Sequence, residues 1–512
     1  MSKAIVMGSG FGGLAAAVRL INKGYEVTVL EARDQIGGRA GVFKQDGYTF
    51  DAGPTVITAP YLLNELFELL QEDPKDFFEL LPIDPFYRII FNDSSKFDYV
   101  GDEDRLIENI RDLSPQDVDG YHRLAKHAKD IFDVGYTELA DEPFETFLSM
   151  LKVAPDMIKL QNYRSVYSLV SKYIKDERLR MAFSFEPLLV GGNPTKITSI
   201  YLLIHWLERK WGVHFVKGGT TALVAAFRRL LLKKGANVIT NASVQKIEVE
   251  NGSVKRAITE DGRIFECDLL VSNADPVRVY RDMIDSNHRS KHSDWRLNRK
   301  QHSMSLFVAY FGAKKLYPEL AHHTILLGPR YQGLLKDIFD RKVLADDFSL
   351  YLHAPTRTDV SMAPEGHECF YVLSPVPNKE GNTDWTAETD RYKEKIYKWM
   401  DQNHLPGLMD NLTVDFAVNP DYFEFDLQSE KGAAFGIEPS FTQSAYFRFH
   451  NKSEDVGGLY FVGANTHPGA GIPGVLNSAK VLERVVPRAS GYSKVRPTRM
   501  AYRKTRPAEV QV

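Results

Sequence analysis

Cysteine is almost absent: the 512-residue chain has two, Cys267 and Cys369. That count excludes a disulfide framework, a cysteine-based zinc site and an iron–sulfur cluster, and no metal site is expected. It also suits a reducing, cytoplasmic compartment. An excess of one charge is lacking too. With 64 Lys+Arg against 67 Asp+Glu the formal charge is −3, which argues against a basic surface built for nucleic acid. No run is long and apolar enough to span a membrane. The nearest, 4–21, contains Gly8, Gly10, Gly12, Gly13 and Arg19 and is followed by no small-residue cleavage site, so it reads as folded protein. Gly (36) and Pro (25) occur at ordinary levels, which excludes collagenous and low-complexity classes. No internal repeat is visible.

What is there is a globular composition, 43% hydrophobic and 12% aromatic, long enough for two to four folded units. The amino-terminal stretch reads strand (4–7), helix (11–23, with Gly24 as its cap) and strand (26–30), a β-α-β unit that predicts a parallel sheet. A largely helical region is expected over 61–211, with helices at 61–71 and 176–185. From 215 the pattern changes to a helix (222–233) and strand-like runs split by Asn251-Gly252 and Asp261-Gly262. Those dipeptides mark hairpins, so 243–266 reads as an antiparallel meander, followed by a buried strand at 269–272. Further strands are expected at 305–311, 348–353 and 369–374, and a helix at 391–403. A last buried strand, 459–463, leads through a Gly/Pro-rich turn into a helix from about 475. The tail from 489 is basic and is expected to be mobile.

Three constellations carry chemistry. Gly8-Ser9-Gly10-Phe11-Gly12-Gly13 lies between a strand and a helix. Gly8 permits the tight turn, Gly10 lets the backbone approach a pyrophosphate, and Gly13 allows the helix to pack closely on the strand. The helix end offers free N–H groups to phosphate. Glu31 ends the second strand, where it can accept hydrogen bonds from an adenosine ribose and would repel a 2′-phosphate. The second constellation, Arg33-Asp34-Gln35-Ile36-Gly37-Gly38-Arg39, follows at once. Its paired glycines allow close backbone approach, and Arg39 can fork onto phosphate. The third is Gly463-Ala464-Asn465-Thr466-His467-Pro468-Gly469-Ala470-Gly471-Ile472-Pro473-Gly474-Val475. It would bring backbone N–H groups and a positive helix end to an electron-rich ring edge.

These motifs resemble those of FAD enzymes of the amine oxidase and phytoene desaturase superfamily, and the third resembles the carboxy-terminal signature of bacterial-type phytoene desaturases. Further matches are Phe50-Asp51-Ala52-Gly53-Pro54-Thr55, Arg164-Ser165-Val166-Tyr167-Ser168, Leu188-Leu189-Val190-Gly191-Gly192-Asn193-Pro194, Ser349-Leu350-Tyr351-Leu352-His353-Ala354-Pro355 and Glu438-Pro439. The resemblance runs from residue 4 to about 485. It implies an α/β fold with a Rossmann-like FAD-binding domain, an inserted substrate-binding domain and a helical, membrane-facing region. The expected division is 1–85, 215–285 and 456–488 for FAD, 86–214 for the helical region, 286–455 for substrate and 489–512 for the tail.

FAD is the implied cofactor. Its expected contacts are Gly8, Gly10, Phe11, Gly12, Gly13, Glu31, Ala32, Arg33, Gly38, Arg39, Gly53, Pro54, Thr55, Val244 (through its backbone to the adenine), Gly463, Gly474 and Val475. The implied activity is stepwise dehydrogenation of 15-cis-phytoene to neurosporene or lycopene, with an apolar carotenoid substrate in a long tunnel. Aromatic-rich stretches 183–189, 201–211 and 441–449 are candidates for its lining. Glu438 and His467 are the candidate catalytic residues, since both lie in matching motifs and can titrate or stabilise cationic charge. Some members carry an arginine and a carboxylate before Met-Leu in the helical region. Here that segment is Phe147-Leu148-Ser149-Met150-Leu151-Lys152, without a carboxylate. Other readings are a dehydrosqualene desaturase, a carotenoid isomerase or ketolase, or a prenyl-binding escort-type protein of the same fold. A peripheral position on the cytoplasmic face of the cell membrane is expected, and the oligomeric state is left open.

Overall fold

Segments more than 400 residues apart close one parallel sheet, in the order Leu459–Phe461, Leu269–Ser272, Lys3–Met7, Glu26–Leu30, Asn237–Ile239. The computed structural model describes residues 2–491, so the basic residues Lys494, Arg496, Arg499, Arg503, Lys504 and Arg506 of the expected mobile tail lie outside the described residues. Lys3–Met7 is central and buried on both faces, which is why its sequence is a continuous apolar run. Helix Phe11–Asn22 packs on this sheet beside helices Tyr61–Leu69 and Ile472–Val485. Arg19, the charge that spoils the membrane reading of 4–21, is 2% exposed and pairs with Glu65 of one neighbour at 3.4 Å and Glu483 of the other. The ion pairs therefore tie three helices together around a buried guanidinium.

The expected meander is present as antiparallel strands Val244–Glu250, Ser253–Thr259 and Ile264–Glu266. Asn251 (φ 50°) and Gly252 (φ 76°) make its first turn with the positive φ angles that a two-residue hairpin needs.

The second large sheet has seven strands: Leu412–Val418, Ser305–Ala313, Glu368–Val376, Leu350–His353, His323–Leu326, Tyr87–Ile90 and Lys96–Tyr99. All nine residues of Ser305–Ala313 are buried. Phe307, Ala309 and Phe311 pack beneath helix Trp385–Asn403, while Leu306, Val308 and Tyr310 face a cavity. The strand therefore joins two cores by its period of two.

The region 61–211, expected to be largely helical, departs from that reading at Tyr87–Ile90 and Lys96–Tyr99. Tyr87, Ile89, Phe97 and Tyr99 point inward, while Arg88 and Asp98 pair on the outer face at 2.7 Å. This hairpin pairs in parallel with His323–Leu326. It places 87–99, expected in the helical region 86–214, in the sheet of the 286–455 segment. Several helices begin earlier than expected. Trp385–Asn403 is capped by Asp384, and Ile472–Val485 starts with Pro473 in its first turn. Among the described residues no helix is long and apolar enough to cross a membrane.

Candidate flavin and substrate site

The glycine loop sits at the carboxyl end of Lys3–Met7, where open parallel sheets bind ligands. Gly8 has φ +90°, which an L side chain rarely adopts. A Cβ on Gly13 would lie 2.0 Å from the Gly8 carbonyl oxygen, so Gly13 is a packing glycine and does not line the cavity. A Cβ on Gly10 would meet the Asn273 side-chain nitrogen at 2.7 Å, and one on Gly12 the Gly463 backbone at 3.0 Å. Glu31 is buried and accepts from the Ser9 N–H at 2.9 Å, the Ser9 hydroxyl and the Arg33 N–H at 3.0 Å. A carboxylate has about four acceptor sites, so room for a ribose hydroxyl remains.

Gly37 (φ +116°) opens the turn Gly38–Ala40. This brings Gly38 within 3.4 Å, Cβ to Cα, of Gly10. Arg39 is half-buried, donates to Ser429, and among the described residues keeps a buried Nε without a partner. Burial lowers its pKa, and no carboxylate pairs with it among the described residues. A guanidinium that pairs with no carboxylate among the described residues, beside a glycine cradle, fits a phosphate-bearing dinucleotide. Gly53 packs on the same turn, its Cβ position 2.0 Å from the Arg39 carbonyl oxygen. Ala32, Pro54, Thr55 and Val244 complete this end of the cavity wall.

Across from it, Gly463 (φ +100°), Gly469 (φ +140°) and Gly471 (φ +88°) fold the carboxy-terminal turn onto helix Ile472–Val485. Gly463 stands behind the wall, while the stretch from His467 to Val475 lines it. Beneath lies Arg448, 3% exposed, donating to the carbonyl oxygens of Ile437, Gln443 and Ala464 and making no ion pair among the described residues. Its charge adds to burial in pushing His467 down to about 3, so that imidazole is neutral. His467 therefore lines the cavity as a neutral imidazole that takes up a proton only weakly. Glu438 does not line the cavity at all. Its neighbour Pro439 does, and the Glu438 carboxyl, raised by burial, faces the charges of Lys342 and Lys196.

Between these walls runs a single cavity of about 630 Å³. Of the stretches expected to line it, Phe185, Leu188, Leu189, Tyr201, Leu207 and Phe441 do so, while Phe183, Trp206 and Phe449 pack elsewhere. Helix Phe147–Lys159 forms part of its rim: Met150, Val153 and Met157 face the cavity. On its other side Phe147, Leu148, Leu151 and Ile158 are between 51% and 67% exposed.

Sequence reasoning missed Asn273, Arg448 and Glu208. Asn273 follows the buried strand Leu269–Ser272, and its side chain sits among Gly8, Gly10, Gly12, Gly13 and Gly463. The rule that ligands lie beyond the carboxyl ends of parallel strands could have found it. Arg448 lies outside the Gly/Pro-rich motif whose turn it supports and carries no local signal.

Residues 11–481 match the family model for flavin containing amine oxidoreductases. The chain is 47% identical to the lycopene-forming phytoene desaturase of Pantoea ananas, over 94% of this chain and 98% of that protein. It is 40% identical to the neurosporene-forming phytoene desaturase of Rhodobacter capsulatus, over 96% and 94% respectively. A putrescine oxidase structure aligns at TM-score 0.64 with 14% identity, covering 94% of this chain and 97% of that one, a likeness of fold. The chain belongs to the flavin containing amine oxidoreductase family, and within it to the bacterial-type phytoene desaturases.

Proposed function

We propose that the protein is an FAD-dependent dehydrogenase that converts phytoene to neurosporene or lycopene. The observation that carries this is the cavity: one end is the glycine and arginine cradle, and the rest is walled almost wholly by aliphatic and aromatic side chains. A linear hydrocarbon offers no polar handle, so shape and apolar contact must hold it. Bound FAD supplies the hydride acceptor.

The residues of the chain do the remainder. Gly8, Gly10, Phe11, Gly12, Gly38 and Arg39 hold the pyrophosphate, with Gly13 closing the helix onto the strand. Glu31, Ala32, Arg33 and Val244 hold the adenosine. Gly53, Pro54, Thr55, Gly474 and Val475, the last two set by Gly463, would hold the ring. Leu188, Leu203, Ile325, Leu327 and Leu334 exclude water from the polyene. Arg448 beneath the carboxy-terminal turn provides a fixed positive field where negative charge gathers.

The substrate dissolves in bilayers, and helix Phe147–Lys159 turns one face to the cavity and an apolar face outward. This supports docking of that helix on the inner face of the cell membrane as a peripheral protein. Expression in cells that accumulate phytoene tests the activity. Coloured polyenes should replace the colourless one, and persistence of phytoene beside abundant, flavin-loaded protein would refute the reading.

A further inference from the structure

The dehydrogenation must dispose of a proton, and neither Glu438 nor His467 is placed to take it: the first stands outside the cavity and the second is a weak base. We propose that Glu208, backed by Glu186, is the catalytic base that accepts this proton. The assignment rests on the dehydrogenase reading above and deepens it.

Helix Leu203–Trp211 sets Glu208 on the cavity wall, 1% exposed. Its Oε1 accepts from the Tyr87 hydroxyl at 2.6 Å, and its Oε2 has no partner. Glu186 is equally buried, and neither of its oxygens has a hydrogen-bond partner. Among the described residues nothing cationic faces the two. His205 Nδ1 lies 3.5 Å from Glu186 Oε1, but burial drives this histidine to about 3, and the Tyr99 and Tyr121 hydroxyls meet its two nitrogens at 3.0 and 3.4 Å. Arg209 turns away to the Val100 carbonyl and Glu103. Leaving a buried carboxyl without a cation or a full set of donors costs on the order of several kcal/mol when it is charged. Packing alone would be better served by leucine.

Position agrees with the role. The other charged or titratable groups on the wall, tyrosines aside, are Glu31, Arg33 and Arg39 in the cradle, the exposed Asp426, and neutral His467. Glu208 is thus the carboxyl on the apolar part of the wall. A relay of side-chain contacts connects it to the Gly53–Thr55 loop. The Tyr87 ring that holds it meets the His323 ring at 5.9 Å, and His323 Nδ1 contacts the Tyr351 hydroxyl at 2.7 Å. That hydroxyl is 3.1 Å from Thr55 Oγ1.

The step balances without a further reagent. One carbon of the polyene gives up hydrogen with its bonding pair, which the flavin takes as the two-electron oxidant. The neighbouring C–H bond breaks as its pair becomes the second bond of the new C=C, and its proton goes to a Glu208 oxygen, turning carboxylate into carboxylic acid. Burial raises the pKa of both carboxyls well above the ordinary range, and the charge of Glu186 raises Glu208 further, against the Tyr87 hydrogen bond. Close carboxyls do not both ionise readily, so losing the first proton of the pair makes the second harder to lose. Because the base must be ionised, the rate should rise with pH along a limb that lies above the usual carboxylate range.

Glu208→Gln keeps the shape and the Tyr87 contact but takes no proton. On purified protein with FAD and phytoene in liposomes, it should retain flavin content and melting temperature. Turnover should fall by about 100-fold or more, and the pH limb should vanish. In cofactor-free wild type, the infrared carbonyl stretch of a protonated buried carboxyl should titrate above the ordinary carboxylate range, and the variant should weaken it. Should the variant fold poorly, the wild-type pH profile and infrared titration still decide. A wild type with neither limb nor band overturns the assignment, as does a variant that turns over normally or slows with the limb unchanged. A wild type that leaves phytoene untouched overturns the function as well. Pigment from wild type beside an equally active variant overturns the base alone.

Discussion

Gly10→Ala and Gly13→Ala, compared side by side, separate the two tasks of the glycine loop. Gly10 has φ −63° and ψ 169°, extended backbone that alanine adopts freely. Its new Cβ would approach only the Asn273 side-chain nitrogen, at 2.7 Å, and that amide can swing aside. Folding stability should therefore change by less than about 1 kcal/mol, part of the clash being offset by the stiffer unfolded chain. The methyl does, however, occupy the approach to the phosphates. Losing one charge-assisted backbone contact costs about 1.5–3 kcal/mol, or roughly 10- to 150-fold in FAD affinity. Gly13→Ala should do the reverse. Its Cβ would lie 2.0 Å from the Gly8 carbonyl oxygen, backbone that cannot move without the strand. Overpacking of this kind costs about 1–3 kcal/mol and lowers Tm by several degrees. Fluorescence titration with FAD and thermal melting of the cofactor-free proteins measure both effects. A Gly10→Ala protein with wild-type FAD affinity, or a Gly13→Ala protein that melts normally, would refute the division of labour.

Two further outcomes follow from other parts of the molecule. Leu148 and Leu151, 61% and 53% exposed, are the residues to charge in a test of membrane docking. The double variant Leu148→Glu, Leu151→Glu should weaken liposome co-sedimentation at least about tenfold while sparing FAD binding, and undiminished binding would remove this helix from the docking surface. Asp51 is buried at the base of the Gly53–Thr55 loop, and desolvation raises its pKa from 3.8 to about 6 against the Thr220 hydrogen bonds. The folded state thus holds its proton more tightly than the unfolded chain, so stability is lost as pH rises from about 4 through about 6, by on the order of 3 kcal/mol. Asp51→Asn should flatten that window in urea melts collected against pH, and an unchanged profile would show that Asp51 stays ionised throughout.

The dinucleotide half of the fold was legible because its signals are local. Gly8 and Gly37 take positive φ angles, Asn251-Gly252 needs its own turn type, and Lys3–Met7 shows burial on both faces as an unbroken apolar run. The hairpin Tyr87–Ile90 and Lys96–Tyr99 showed its alternation equally well, but the surrounding helical pattern obscured it. Early helix starts at Trp385 and Ile472 were available too, in Asp384 as a cap and Pro473 in the first turn. What sequence could not supply is proximity between distant segments. Asn273 matters because five glycines surround it, Arg448 because it lies under a turn about twenty residues away, and Glu208 because Tyr87 and Glu186 come to it through the fold. The same limit affects Gly474. Its position in the turn suggests that a bulky substitution would crowd the flavin alone. In the structure its Cβ would lie 2.6 Å from the Gly469 carbonyl oxygen, so the substitution breaks the turn first.

The most direct measurement is anaerobic mixing of purified, FAD-loaded protein with 15-cis-phytoene in liposomes, following flavin absorbance and separating the polyenes by chromatography. Bleaching of the flavin band in step with the appearance of more highly conjugated products, ending at neurosporene or lycopene when an electron acceptor is supplied, is the result predicted here. A flavin that stays oxidised while phytoene is recovered intact would contradict it.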